Sequence, residues 1–345
     1  MSRQAPVDIS ALISAAQEGE RRALARLITR VENGGEDAQT ILQMLYPHSG
    51  HAHIVGITGS PGTGKSTLVN AMTRVYRERG MTVGIIAIDP TSPFSGGALL
   101  GDRVRMRDLV GDPGVYIRSM ATRGSLGGLA RATDDAVLVL DAMGFDRILI
   151  ETVGVGQAEV DIASSAHTVI VVEAPGLGDD IQAIKAGILE IGDIFVVNKA
   201  DREGVERAVM ALQTMLGLGE HKVRHHGRTA RVAMAEEEKP LWSPPIIKTV
   251  ATRGENVPAV VDAIEHHRAL LLQTGEMERR ERARAAHELD HILREALVRR
   301  LIALVSPAGL EEAVRQVADR EVDPYTAADH LLQEEDARRK GTTPG

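Results

Sequence analysis

The residues with the clearest chemical purpose lie in the stretch "GITGSPGTGKST", from Gly56 to Thr67. Gly59, Gly64, Lys65 and Ser66 fit the pattern G-x-x-x-x-G-K-[ST], with Ser60, Pro61, Gly62 and Thr63 as the intervening loop and Thr67 just beyond it. Glycines at these positions let backbone N–H groups turn toward phosphate oxygens, and a following helix adds the positive end of its dipole. The spacing predicts an anion cradle in which the Lys65 ammonium reaches the β and γ phosphates and the Ser66 hydroxyl binds Mg²⁺.

Which nucleotide occupies such a cradle is a question for a second motif. Asn198, Lys199, Ala200 and Asp201 follow the apolar run "DIFVV". An aspartate there can accept from both the ring N1–H and the exocyclic amine of guanine, a donor pair that adenine lacks. N-K-x-D thus predicts GTP and GDP as ligands. The turn Val250, Ala251 and Thr252, after "PIIKTV", is placed to close over the base with backbone N–H groups.

Between the motifs, "AIDPTSPFSGGALLGDRVRM" and "IETVGVGQAEVDIA" set carboxylates just after apolar runs and follow them with glycine-rich backbone, the composition of γ-phosphate sensors. Asp89 and Asp102 are candidates to hold Mg²⁺ directly or through water, and Glu151 is a second metal-associated or water-orienting carboxylate. Asp102 could equally cap a helix. Gln157 could orient the attacking water or contact a partner. Lys65, Glu151 and Gln157 form the expected catalytic set.

These residues need a frame, and the sequence describes one. Residues 8 to 45 carry apolar side chains at helical spacing. From Ile54 onward, Val- and Ile-rich runs alternate with helical segments, as expected of strands buried on both faces of a mostly parallel sheet. The expected class is α/β: a helical extension over 1–50, a nucleotide-binding domain over 51–270 and a helical region over 271–345. Residues 219–245 read as a polar insertion, where the pair His225 and His226 suits a solvated loop better than a metal site. Leu289, Ile292, Leu293, Ala296, Leu297, Leu301 and Leu304 mark an apolar helix face, to be covered by the parent domain or by a second subunit.

Composition narrows the partners. A formal net charge of -8 and an aromatic content of 2% disfavour nucleic acid, which requires concentrated Lys and Arg or stacking platforms. The absence of Cys excludes disulfides and thiolate metal sites. Apolar runs fall short of the roughly 20 residues that span a bilayer, and the first residues carry no signal-peptide pattern, so a cytoplasmic protein with no membrane partner is expected.

With the phosphate loop, "DPTSPFSGGALLGDRVRM", "ATRGSLGGLA", "ETVGVGQAEVDIA", "APGLGDDIQAIKAGILEIGDIFVVNKAD" and "DPYTAAD" together, the chain resembles the MeaB/ArgK/MMAA family of P-loop GTPases from about Leu24 to Leu332. The resemblance implies a GTPase chaperone of an adenosylcobalamin-dependent acyl-CoA mutase, above all methylmalonyl-CoA mutase, that gates cofactor loading and protects or reactivates the client. It implies a homodimer formed through the C-terminal helices. It also assigns Asp89 and Asp102 to a first switch, Glu151 and Gln157 to a second, and Gln182 and Lys185 to a third that signals to the client. Ser60 stands where the wider class carries a lysine used across a dimer, which disfavours activation by such a lysine. Two alternatives share the phosphate loop: an ATP-dependent kinase or ATPase linked to arginine and ornithine transport, and a metallochaperone GTPase, against which the lack of Cys counts.

Overall fold

The computed structural model describes residues 8–89, 109, 111–121, 126–152, 165–176, 190–219, 242–304 and 307–341. The chain divides into two compact units, Met1–Arg282 and Ala283–Gly345. In the first unit, β1 (His53–Thr58), β2 (Val83–Asp89), β3 (Val115–Ala121), β4 (Arg147–Thr152), β5 (Thr168–Glu173), β6 (Ile194–Val197) and β7 (Ile246–Lys248) make one sheet in the order β3-β2-β4-β1-β5-β6-β7. Every strand pairing in it is parallel.

Period-two alternation sorts the strand side chains onto two faces. Ile54, Ile86, Ile148 and Val169 join one core with the N-terminal helices α1 (Ile9–Gln17), α2 (Arg21–Asn33) and α3 (Glu36–Leu45) and with Leu140 of a later helix. Val55, Ile85, Leu149 and Ile170 point the other way, into a core shared with Leu68 and Met72 of α4 (Lys65–Glu78). Both faces are covered, which is why the strands read as continuous apolar runs. The residues of β1 and β4 are buried at every position.

The remaining helices of this unit fix the strand ends. In α5 (Leu126–Ala142), the Asp141 carboxylate accepts from the backbone N–H groups of Gly50, His51 and Ala52 at 2.6, 3.0 and 2.8 Å, which sets where β1 begins. The helix α6 (Val205–Gly219) packs Leu212 against Phe195 and Val197. On the α4 side, α7 (Val257–Thr274) buries Val257, Val260, Val261 and Ile264.

Along the N-terminal edge of the sheet runs a buried polar layer. His53 and His267 both meet the Thr168 hydroxyl at 2.9 Å. Asp193, just before β6, accepts from Val169 N–H at 2.9 Å and pairs with Arg280 at 3.0 Å. His167 contacts Glu281, and Arg147 pairs with Glu265 of α7 at 2.6 Å. Arg280 and Glu281 belong to α8 (Glu276–Leu304), whose first turns therefore bond to the sheet.

The second unit consists of the remainder of α8 with α9 (Pro307–Ala318) and α10 (Pro324–Gly341). Asp323 caps α10, accepting from the N–H groups of Tyr325 and Thr326 at 2.9 and 3.1 Å. Leu289, Ile292, Leu293, Leu297 and Val298 of α8 are exposed on the single chain. Among the described residues no helix is long and apolar enough to cross a membrane.

Candidate functional site

The order of the strands puts β1 at the point where the chain, having built one half of the sheet, returns to build the other; loops at the carboxyl end of such a strand face an open crevice. The segment from Gly59 to Gly64 leaves β1 there. Gly59 (φ 135°) and Gly64 (φ 94°) both take backbone conformations that side chains resist. Space forbids a side chain too: a Cβ on Gly59 would lie 2.1 Å from the Val172 carbonyl oxygen, and one on Gly64 would lie 2.4 Å from Asn198 Nδ2. The loop is held this tightly against β5 and the β6 end only because both residues are glycine.

Gly64 then serves as the N-terminal cap of α4, so the helix dipole points into the loop. Lys65, on the first turn, folds back over the loop, its ammonium donating to the carbonyls of Gly59 and Ser60 at 2.6 and 3.0 Å. It is buried to 5% exposure. A cation so placed meets whatever anion the loop receives. Ser60 further accepts from the Thr63 hydroxyl at 2.9 Å, which fixes the turn that contains Pro61 and Gly62. Thr67 follows on α4, partly exposed.

Ser66 donates its hydroxyl to Glu151 Oε1 at 2.5 Å. Glu151 stands at the carboxyl end of β4, in register with Ile57 of β1 and Ala87 of β2. Both residues are buried. A hydroxyl and a carboxylate meeting beside a phosphate loop are hard oxygen donors, and they fit Mg²⁺. Asp89 ends β2 at the same edge of the sheet. Asp102, Gln157, Gln182 and Lys185, with most of the three expected switch segments and residues 220–241 of the insertion, lie outside the described residues.

The second motif meets the first through Asn198. Its Nδ2 donates to the Thr63 carbonyl at 2.9 Å, and its Oδ1 accepts from Ala251 N–H at 3.1 Å and from the Thr249 hydroxyl at 3.2 Å. A single buried amide thus joins the phosphate loop to the loop after β7. Lys199, in a left-handed conformation (φ 58°), donates from Nζ to the Gly62 carbonyl at 2.6 Å. Val250 and Ala251 are buried, whereas Thr252 is exposed. The Asp201 carboxylate is open to solvent and pairs with Arg253 at 3.6 Å.

Two contributors escaped sequence reasoning. Thr249, the first residue after β7, orients Asn198, and Arg253 reaches Asp201; the signal for Arg253 was the polar run "TRGE", Thr252 to Glu255. A cleft of about 160 Å³ lined by Glu20, Arg21, Tyr116 and Phe145 sits at the N-terminal edge of the sheet, far from these loops, and brings no chemistry to them.

The comparisons with known proteins agree with this geometry. The family model described as methylmalonyl Co-A mutase-associated GTPase MeaB matches residues 24–306. A Pyrococcus abyssi protein that carries a GTPase name is 49% identical over 326 residues, covering 94% of this chain and 96% of that one. The mouse mitochondrial methylmalonic aciduria type A homolog is 30% identical over 339 residues, covering 92% of this chain and 77% of its own. Among solved structures, an LAO/AO transport system kinase shares the fold with a TM-score of 0.68 at 22% identity, over 95% of this chain and 99% of that one.

Proposed function

The chain belongs to the family of methylmalonyl-CoA mutase-associated GTPases, and from that membership and the site geometry we propose that it couples GTP hydrolysis to the care of a cobalamin-dependent acyl-CoA mutase. The observation that carries the reading is the Asn198 junction. An amide bonded to Thr63 on one side and Ala251 on the other makes phosphate binding and base binding a single event.

In this reading the N–H groups of Gly62 to Ser66 hold the phosphates, and Lys65 moves its ammonium from the loop carbonyls to the β and γ oxygens. Ser66, Asp89 and Glu151 would hold Mg²⁺, with Asp102 a further ligand. Mg²⁺ bound there supplies charge neutralisation on the transferring phosphoryl group. Glu151 and Gln157 orient the water. Asp201 accepts from the guanine N1–H and amine, the Lys199 stem lies along the base, and Val250 to Thr252 close over it. Gln182 and Lys185 report the nucleotide state to the client. The exposed Leu289, Leu293 and Leu297 support a homodimer through the C-terminal helices.

The test measures GTP hydrolysis by the pure protein, alone and with methylmalonyl-CoA mutase. The expected result is slow turnover that rises on adding the mutase. Lys185→Ala should lose that rise. Turnover indifferent to cobalamin-dependent mutases would remove the client from the reading, and equal affinity for ATP and GTP would remove the base.

A further inference from the structure

We propose that Arg253 is a positioning residue for purine recognition: anchored by Glu255, its guanidinium holds the Asp201 carboxylate in the orientation that accepts from guanine. The inference rests on the reading of Asp201 as the base reader and adds the group that aims it.

The backbone on both sides of this pair is fixed. The turn after β6 is set by Ala200 N–H donating to the Thr249 carbonyl at 3.0 Å and by Arg202 N–H donating to the Lys199 carbonyl at 3.0 Å. The turn after β7 closes on itself through reciprocal bonds between Val250 and Glu255, at 3.2 and 3.3 Å, around the left-handed Gly254 (φ 71°). Asn256 locks its far end by donating to the Lys248 carbonyl at 3.0 Å. Two rigid turns therefore face each other, and the aspartate side chain is what remains to be oriented.

Arg253 is suited to that task. Its Nε and Nη2 donate to the two oxygens of Glu255 at 2.6 and 3.2 Å, a fork-on-fork pairing that immobilises the guanidinium plane. Nη1 remains turned toward Asp201 Oδ2 at 3.6 Å. Both partners are well exposed, at 53% and 42%, so the pair adds little to folding stability. Its effect lies in restricting the carboxylate before the ligand arrives, which removes an ordering cost from binding. A lysine at this position would lack the fork and wander.

The experiment compares dissociation constants for GDP and inosine diphosphate, which lacks the exocyclic amine, across wild type, Asp201→Asn, Arg253→Ala, Arg253→Lys and Glu255→Gln. Arg253→Ala should cut the preference for GDP over inosine diphosphate by about two- to fivefold, the scale on which exposed ion pairs act. Arg253→Lys should restore part of it, Glu255→Gln should lose part of it, and added salt should narrow the differences. Equal weakening of both ligands would overturn the proposal, because Arg253 would then serve the sugar or phosphates. Tighter GDP binding would also overturn it, marking Arg253 as a competitor for Asp201. An unchanged ratio would do the same. If the wild type itself fails to prefer GDP, or Asp201→Asn keeps the preference, the base reading fails, which separates that failure from this one.

Discussion

Replacing Asn198 by alanine tests the junction on which the functional reading depends. The side chain is 3% exposed and makes three hydrogen bonds, to the Thr63 carbonyl, the Ala251 N–H and the Thr249 hydroxyl. Alanine leaves the first two partners buried and unsatisfied, at about 1–3 kcal/mol each, while the hydroxyl can turn elsewhere. The expected loss is therefore about 2–6 kcal/mol of unfolding free energy, large against a total of roughly 5–15 kcal/mol. Urea unfolding followed by the fluorescence of Trp242, the only tryptophan in the chain, measures it. The same change uncouples the two loops, so GDP must order both, and its dissociation constant should rise at least about tenfold, equivalent to 1.4 kcal/mol. Adding Thr249→Val to Asn198→Ala should cost less than the two single changes together, since both act on one network. A variant that unfolds within about 0.5 kcal/mol of wild type and binds GDP as tightly would show that the junction does not hold the loops together.

Two further outcomes follow from the geometry. Ser66→Ala and Glu151→Gln should each lower single-turnover GTP hydrolysis at saturating nucleotide and raise the Mg²⁺ concentration needed for half-maximal rate; an unchanged Mg²⁺ requirement in both would separate the Ser66–Glu151 pair from the metal. Stability should also fall as pH drops below about 6.5, the value of an unperturbed histidine. Burial holds His53 well below that value, with His167, Arg147, Arg268 and His267 adding to the effect, and burial likewise lowers His267, with Arg280 and His266 adding and Asp193 opposing. The unfolded chain then binds more protons than the folded one, so stability is intact above the unfolded value and is lost toward the folded values at up to about 1.4 kcal/mol per pH unit for each histidine. A urea midpoint that stays level or rises between pH 7.5 and 5.5 would contradict this.

The parts of the fold legible in the sequence are those whose causes are local. The run "RILIET" is β4 from end to end, because a strand buried on both faces needs apolar residues at consecutive positions. Helix α4 begins at Lys65 because Gly64 supplies the left-handed cap that the phosphate loop also requires. What was not legible depends on residues far apart in the chain. Asn198 meets Thr63 across 135 positions, and His53 meets Thr168 across 115, with no spacing rule to announce either. Arg253 lies one residue beyond the turn read as the base loop, Val250 to Thr252, and its direction toward Asp201 depends on the turn closed by Val250 and Glu255, which no single residue type signals.

Strand β6 shows how the two edges of the sheet are joined. It is only four residues long, Ile194–Val197, and all four are buried. Immediately before it, Asp193 is held by Val169 N–H, by Arg280, and through its carbonyl by the Trp242 indole N–H at 2.8 Å. Immediately after it comes Asn198, whose N–H donates to the Glu173 carbonyl at 2.8 Å. The residue that gathers the loops is thus mounted on a rod of four residues, clamped at the opposite end by the first turns of α8. Close-packed strands have no second arrangement to slip into, so this rod transmits position rather than choice. A nucleotide-dependent change needs an element with two states. For the switch proposed above, the frame built on β6 supplies the other requirement, a fixed reference against which the phosphate loop, the Ser66–Glu151 pair and Asp201 keep their spacing.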